Sequence, residues 1–232
     1  MSSLTKPELL QAFKVDLLKK VCPAESVIDY GGMWRVHGQY SILCRELGCN
    51  RVTMVDMYEA PEWQNESPLT DDIEFLKENF ADPLFMATLR ETYSLSIAFS
   101  IMLHQANLLD VLARILERTE ETFCFCQPMI REMETSRGLV FLPEHPKEEL
   151  SHQSLYNERV NFFQPGILHP SNWIWGMTPS FFHTALECNG FKVTYEEEFD
   201  DLSKRQWFWW GCIAKRQKLH PVFAVAKTRY SM

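Results

Sequence analysis

The chain has 232 residues, 46% hydrophobic and 23% charged, which suits one α/β domain with a sizeable core. A formal net charge of −8 repels nucleic acid at long range and disfavours a broad phosphate-binding face, while leaving room for a local basic groove. No basic, apolar leader opens the sequence and no apolar run reaches membrane-spanning length, so the expected location is cytoplasmic, without membrane contact.

In chain order, LTKPELLQAFKVDLLKK spaces its leucines and Phe13 as a helix after a Thr-x-Pro-Glu start. SVIDY follows as a short strand, HGQYSILCRELG as a helix ending at Gly48, and RVTMVDM as a second strand. Within LTDDIEFLKENF a helical start gives way to a short strand, IEFLK. YSLSIAFS is a strand, NLLDVLARILERT an amphipathic helix and ETFCFCQPMI another strand. Strands separated by helices of this length predict parallel βαβ units with right-handed crossovers. From 131 to 170 the regularity fails, and the Pro-, His- and charge-rich segment is expected to be an insertion or lid over one end of the sheet. SNWIWG resumes regular structure. TPSFFHTALECNG is then a helix capped by Thr178 with Pro179 at its first position, and FKVTYEEEF and RQWFWWGCIAKR form an antiparallel edge pair. The expectation is a single domain over 1–232, with a helix at 1–20 and no repeats.

The seven cysteines include no CxxC pair, and Cys124 and Cys126 would share one face of a strand. The odd count favours free, mostly buried thiols, and no metal site is expected, zinc included.

In an open parallel sheet, ligands bind beyond the carboxyl ends of the strands. The first strand ends in Asp29-Tyr30-Gly31-Gly32, the second in Asp56-Met57, the third leads to Asn79-Phe80, and the fourth ends at Ser100 with His104 a turn further on. Taken singly, Gly-Gly is a turn and Asp56 a cap. Together and in this order they resemble class I S-adenosylmethionine-dependent methyltransferases over about residues 25–130 and 172–215. The late segment WIWGMTPSFFHTALECNGFKV is similar to that family's C-terminal pattern, and part of it also resembles the tRNA wobble-uridine methyl- and carboxymethyltransferase group.

That resemblance implies a Rossmann-like seven-stranded, mostly parallel sheet with helices on both faces and an antiparallel C-terminal strand pair. It implies S-adenosyl-L-methionine as cofactor, with Asp29, Gly31 and Gly32 near its methionine part, Asp56 at the ribose, Asn79 and Phe80 at the adenine, and Met57 and Ser100 as further cofactor-binding candidates. Asn79 stands where relatives carry Asp, and its carbonyl can still accept from the adenine amino group. His104 is the candidate general base, or else a structural residue. The nicotinamide-dehydrogenase alternative lacks its G-x-G-x-x-G.

The first motif departs from the family. Asp29, Gly31 and Gly32 are followed by MWRVH before Gly38, so the turn is lengthened. Met33, Trp34 and Arg35 would then project over the cofactor, Arg35 toward its carboxylate, the alternative being packed Trp34 and solvated Arg35. Trp34, His37, Tyr156 and Trp175 are candidate substrate-pocket residues. The partner expected is a small-molecule methyl acceptor. A tRNA base is the alternative that charge disfavours, and a cofactor-binding scaffold without activity is the third.

Overall fold

The computed structural model describes residues 6–33, 36–63, 66–105, 107–131, 139–141, 175–199 and 207–217. The elements are α1 (Lys6–Val21), β1 (Ser26–Tyr30), α2 (Gln39–Glu46), β2 (Arg51–Val55), β3 (Ile73–Leu76), α3 (Pro83–Thr88), β4 (Tyr93–Phe99), α4 (Leu108–Glu117), β5 (Thr119–Ile130), β6 (Leu139–Phe141), β7 (Trp175–Met177), α5 (Pro179–Cys188), β8 (Phe191–Phe199) and β9 (Trp207–Arg216).

Seven strands form one sheet in the order β3-β2-β1-β4-β5-β9-β8. β3, β2, β1, β4 and β5 pair in parallel, whereas β5–β9 and β9–β8 pair antiparallel, as the sequence predicts. The strand order reverses between β1 and β4, so their carboxyl ends flank the crevice where such sheets take ligands. The strand alternation sorts two apolar layers. Ile28, Tyr30, Phe123 and Phe125 face α3, α4 and α5, and Phe125 stacks on Phe182 at 4.1 Å. Val27, Met54, Ile97, Cys124 and Cys126 face α1 and α2. A fully buried aromatic such as Phe182 contributes about 2–3 kcal/mol by leaving water.

Thr178 caps α5, its hydroxyl accepting from Phe181 N–H at 3.3 Å with Pro179 in the first turn, as expected. Two features differ from the sequence reading. A short helix, α3, follows the third strand, started by the Asp82 side chain accepting from Leu84 N–H at 2.8 Å. Gly-Met of the Trp-rich segment lies in β7, which pairs with β6 in a separate two-stranded sheet. The rest of the 131–170 insertion lies outside the described residues.

Candidate functional site at the strand ends

The turn after β1 is built by close packing. Gly31 has φ 73°, its N–H donates to Val55 O at 2.8 Å, and a Cβ there would lie 2.5 Å from Ile101 Cγ2. At Gly32 a Cβ would lie 2.2 Å from Asp29 Oδ2. The Gly-Gly pair is therefore required by the protein's own packing: one glycine lets the chain turn beneath Ile101, the other lets the Asp29 carboxylate pass. Gly32→Ala is expected to lower stability by about 1–3 kcal/mol, because either the carboxylate or the turn must move. A denaturation midpoint equal to that of the parent would show that this turn has slack.

Asp29 lies under the turn, 1% exposed, and accepts from Ser41 Oγ of α2 at 2.8 Å. Burial pushes its carboxyl up to about 7, and the nearby Asp56 charge adds to the rise, while the Ser41 bond and the Lys14 charge oppose it. Asp56 is also buried. Its two oxygens accept from Met33 N–H and Tyr58 N–H, each at 3.0 Å, so it ties the turn after β1 to the end of β2.

The lengthened loop is anchored as well as long. Gly38 N–H donates to Gly32 O and His37 N–H to Met33 O, both at 2.9 Å, and Gly38 then begins α2. Met33 is fully buried in the apolar layer under α1 and α2. The expectation that Met33 projects over a cofactor is therefore corrected: an unbranched apolar side chain beside an apolar layer gains more by filling it. Trp34 and Arg35 lie outside the described residues, as do Tyr156 and the side chain of Trp175.

Along the same edge, Phe80 packs edge-on to Tyr30 at 5.9 Å, and Asn79 Oδ1 accepts from Ala81 N–H at 3.0 Å. Met57 is exposed just past Asp56. Ser100 turns the chain at the end of β4 with φ 61°, an unusual conformation for a residue with a Cβ and one that gathers at ligand sites. His104 ends the short turn Met102–His104 with its ring nitrogens shielded from solvent. His37 sits apart, half-exposed, 3.5 Å from Glu66 and in an outer groove between α1 and α2 with Gln11 and Glu46. The strand ends thus bring together Asp29, Gly31, Gly32, Asp56, Phe80 and Ser100, and leave His37 outside that group.

Sequence reasoning missed Lys14. It lies on α1, 7% exposed, and its ammonium donates to Ser100 Oγ at 3.1 Å. The rings of Tyr40, Phe99 and Trp209 surround it at 5.6, 5.7 and 5.1 Å, inside cation–π range. Burial lowers its pKa, and the neighbouring Cys126 and Asp29 side chains oppose the shift. A signal was present: in LLQAFKVDLL, Lys14 shares a helical stripe with Leu10, Phe13, Leu17 and Leu18. The edge therefore carries two buried carboxyls and a caged ammonium, a charged cluster where a cationic ligand group could be held.

No family model matches the sequence, and no curated protein matches it significantly. Solved structures do match. Magnesium protoporphyrin IX methyltransferase (ChlM) from Synechocystis PCC 6803 with bound SAH is similar at TM-score 0.57 and 15% identity, over 90% of this chain and 82% of that one. The 1,6-didemethyltoxoflavin-N1-methyltransferase of Burkholderia thailandensis is similar at TM-score 0.59 and 13% identity, over 94% and 93%. The [4+2]-cyclase SpnF is similar at TM-score 0.60 and 11% identity, over 89% and 82%. Identities this low establish a shared Rossmann-like fold and leave the chemistry to be argued from the site.

Proposed function

We propose that this chain binds S-adenosyl-L-methionine at the carboxyl ends of β1, β2 and β4 and transfers its methyl group to an O, N or C nucleophile of a small molecule. The observation that carries this is Asp56. Two backbone N–H groups orient its carboxylate at the end of β2, where a carboxylate can accept from the two ribose hydroxyls. The rest of the donor set fits the same cofactor. Asp29 offers a buried carboxylate for an ammonium group, Phe80 an apolar surface and Asn79 an amide for the base, and Ser100 a hydroxyl. Two structural neighbours named for porphyrin and toxoflavin-type acceptors support a small-molecule substrate.

The cofactor would supply an already electrophilic methyl group, so the protein's share is in-line placement and exclusion of water. Where the acceptor must lose a proton, His104, a turn beyond the end of β4, is the candidate base in this reading. A net charge of −8 weighs against tRNA as acceptor.

A second reading, cofactor binding without methyl transfer, draws on the lengthened turn after Gly32 and on Asn79, which stands where relatives carry Asp and whose Oδ1 accepts from Ala81 N–H at 3.0 Å. Calorimetry with S-adenosylmethionine followed by turnover assays on a panel of acceptors separates the two. Absence of binding at millimolar cofactor would sink both, and binding without turnover leaves the second. Asp56→Ala is expected to weaken cofactor binding by about 1–3 kcal/mol, the worth of the ribose hydrogen bonds. A folded variant of unchanged affinity would place the ribose elsewhere.

A further inference from the structure

At the opposite end of the sheet three thiols meet. Cys22 follows the last turn of α1, Cys44 lies on α2, and Cys49 sits in the loop into β2. Their sulfur atoms all lie within 4.8 Å of one another, and Cys22 Sγ is 3.9 Å from Cys44 Sγ. Sulfurs bound to one ion at about 2.3 Å stand roughly 3.8–4.0 Å apart, so little contraction is needed. Cys44 and Cys49 are buried and Cys22 is partly exposed. A triangle of three differs from the two-sulfur approach that a disulfide would need, since any disulfide strands the third thiol.

The cluster is held by its surroundings. Ala24 N–H donates to Cys49 Sγ at 3.3 Å. Arg45 wraps this loop, its guanidinium donating to the carbonyls of Cys49 and Asn50.

We propose that Cys22, Cys44 and Cys49 form a binding site for one zinc ion, with a water molecule in the fourth position on the open Cys22 side. Charge balance selects zinc among the thiophilic ions. Three thiolates around a divalent ion leave one negative charge beside Arg45, which also pairs with Asp72 at 3.4 Å, whereas a monovalent ion such as Cu(I) leaves two. Binding releases to solvent whatever thiol protons remain, so uptake weakens as pH falls. Such an ion would pin the end of α1 to α2 and to the start of β2, and α1 carries Lys14. The proposal stands independently of the methyl-transfer reading.

The test uses the full chain, reduced and kept free of oxygen, with zinc and cobalt salts as probes. Expected are one equivalent of zinc in competition with a chromogenic chelator, a thiolate-to-cobalt charge-transfer band, and a melting temperature that rises with zinc. Zinc should also slow modification of the partly exposed Cys22 of the parent chain by a thiol reagent, a readout that needs no variant. Cys22→Ser and Cys49→Ser should lose the tight equivalent, while Cys188→Ser, exposed on α5, keeps it. The proposal is overturned by substoichiometric zinc with Cys22 still reactive, or by uptake unchanged in both variants. Uptake of Cu(I) in preference to zinc, or a Cys22–Cys44 disulfide that prior zinc does not prevent, overturns it equally.

Discussion

S-adenosylmethionine is expected to bind about tenfold more weakly at pH 6 than at pH 7.5, with a proton released on binding. The reason is Asp29, whose carboxyl burial holds at about 7. Below that pH the protein must give up a proton before the carboxylate can face a cationic ligand, and the apparent affinity falls with the ionised fraction. Above about pH 8 the cofactor's own α-amino group loses its charge and the rise ends. The stability of the ligand-free protein should move the other way. A carboxyl raised in the folded state stabilises fully below its unfolded value near 4, and that contribution is lost as pH rises through about 7. Asp29→Asn keeps an acceptor for Ser41 and should flatten both profiles. Titration calorimetry in buffers of different ionisation enthalpy counts the proton. A parent protein whose affinity is level across this range would remove Asp29 from the site.

Lys14→Met should separate site electrostatics from stability. The ammonium favours ionised Asp29, so its loss should push the midpoint of the binding profile to higher pH and weaken binding several-fold near neutrality. Folding should tolerate the change. A buried lysine whose pKa is lowered penalises the folded state at neutral pH, and methionine of similar length removes the penalty while still filling the space among Tyr40, Phe99 and Trp209. The expected melting temperature is equal to or above that of the parent. A large drop would mean that the Ser100 bond and three ring contacts outweigh burial of the charge. An unmoved pH midpoint would mean that Lys14 and Asp29 are electrically separate.

The strand ends were legible because each candidate residue sits at a fixed place in a local pattern. An apolar run followed by Asp-x-Gly-Gly, or by Asp after RVTMV, locates a strand terminus whatever the rest of the chain does. The βαβ spacing then orders the termini along one edge of the sheet. α3 was less visible, since Pro83–Thr88 is too short to show a helical period, and only Asp82-Pro83 marks its start. Met33 was placed wrongly because nothing in MWRVH distinguishes a side chain over a ligand from one inserted beneath α2.

The sequence by itself determined the strand and helix order, the parallel core with its antiparallel edge, and the positions of Asp29, Asp56 and Ser100 at strand ends. These follow from periodicity and turn chemistry, which act over a few residues. The packing of the helices on the sheet decides that burial pushes the Asp29 carboxyl up to about 7, that Lys14 enters the site from the first helix, and that Cys22 meets Cys44 and Cys49. Each depends on which surfaces the packing of α1 and α2 on the sheet removes from water. Desolvation and contact at ångström range are properties of that packing, and a one-dimensional pattern does not carry them.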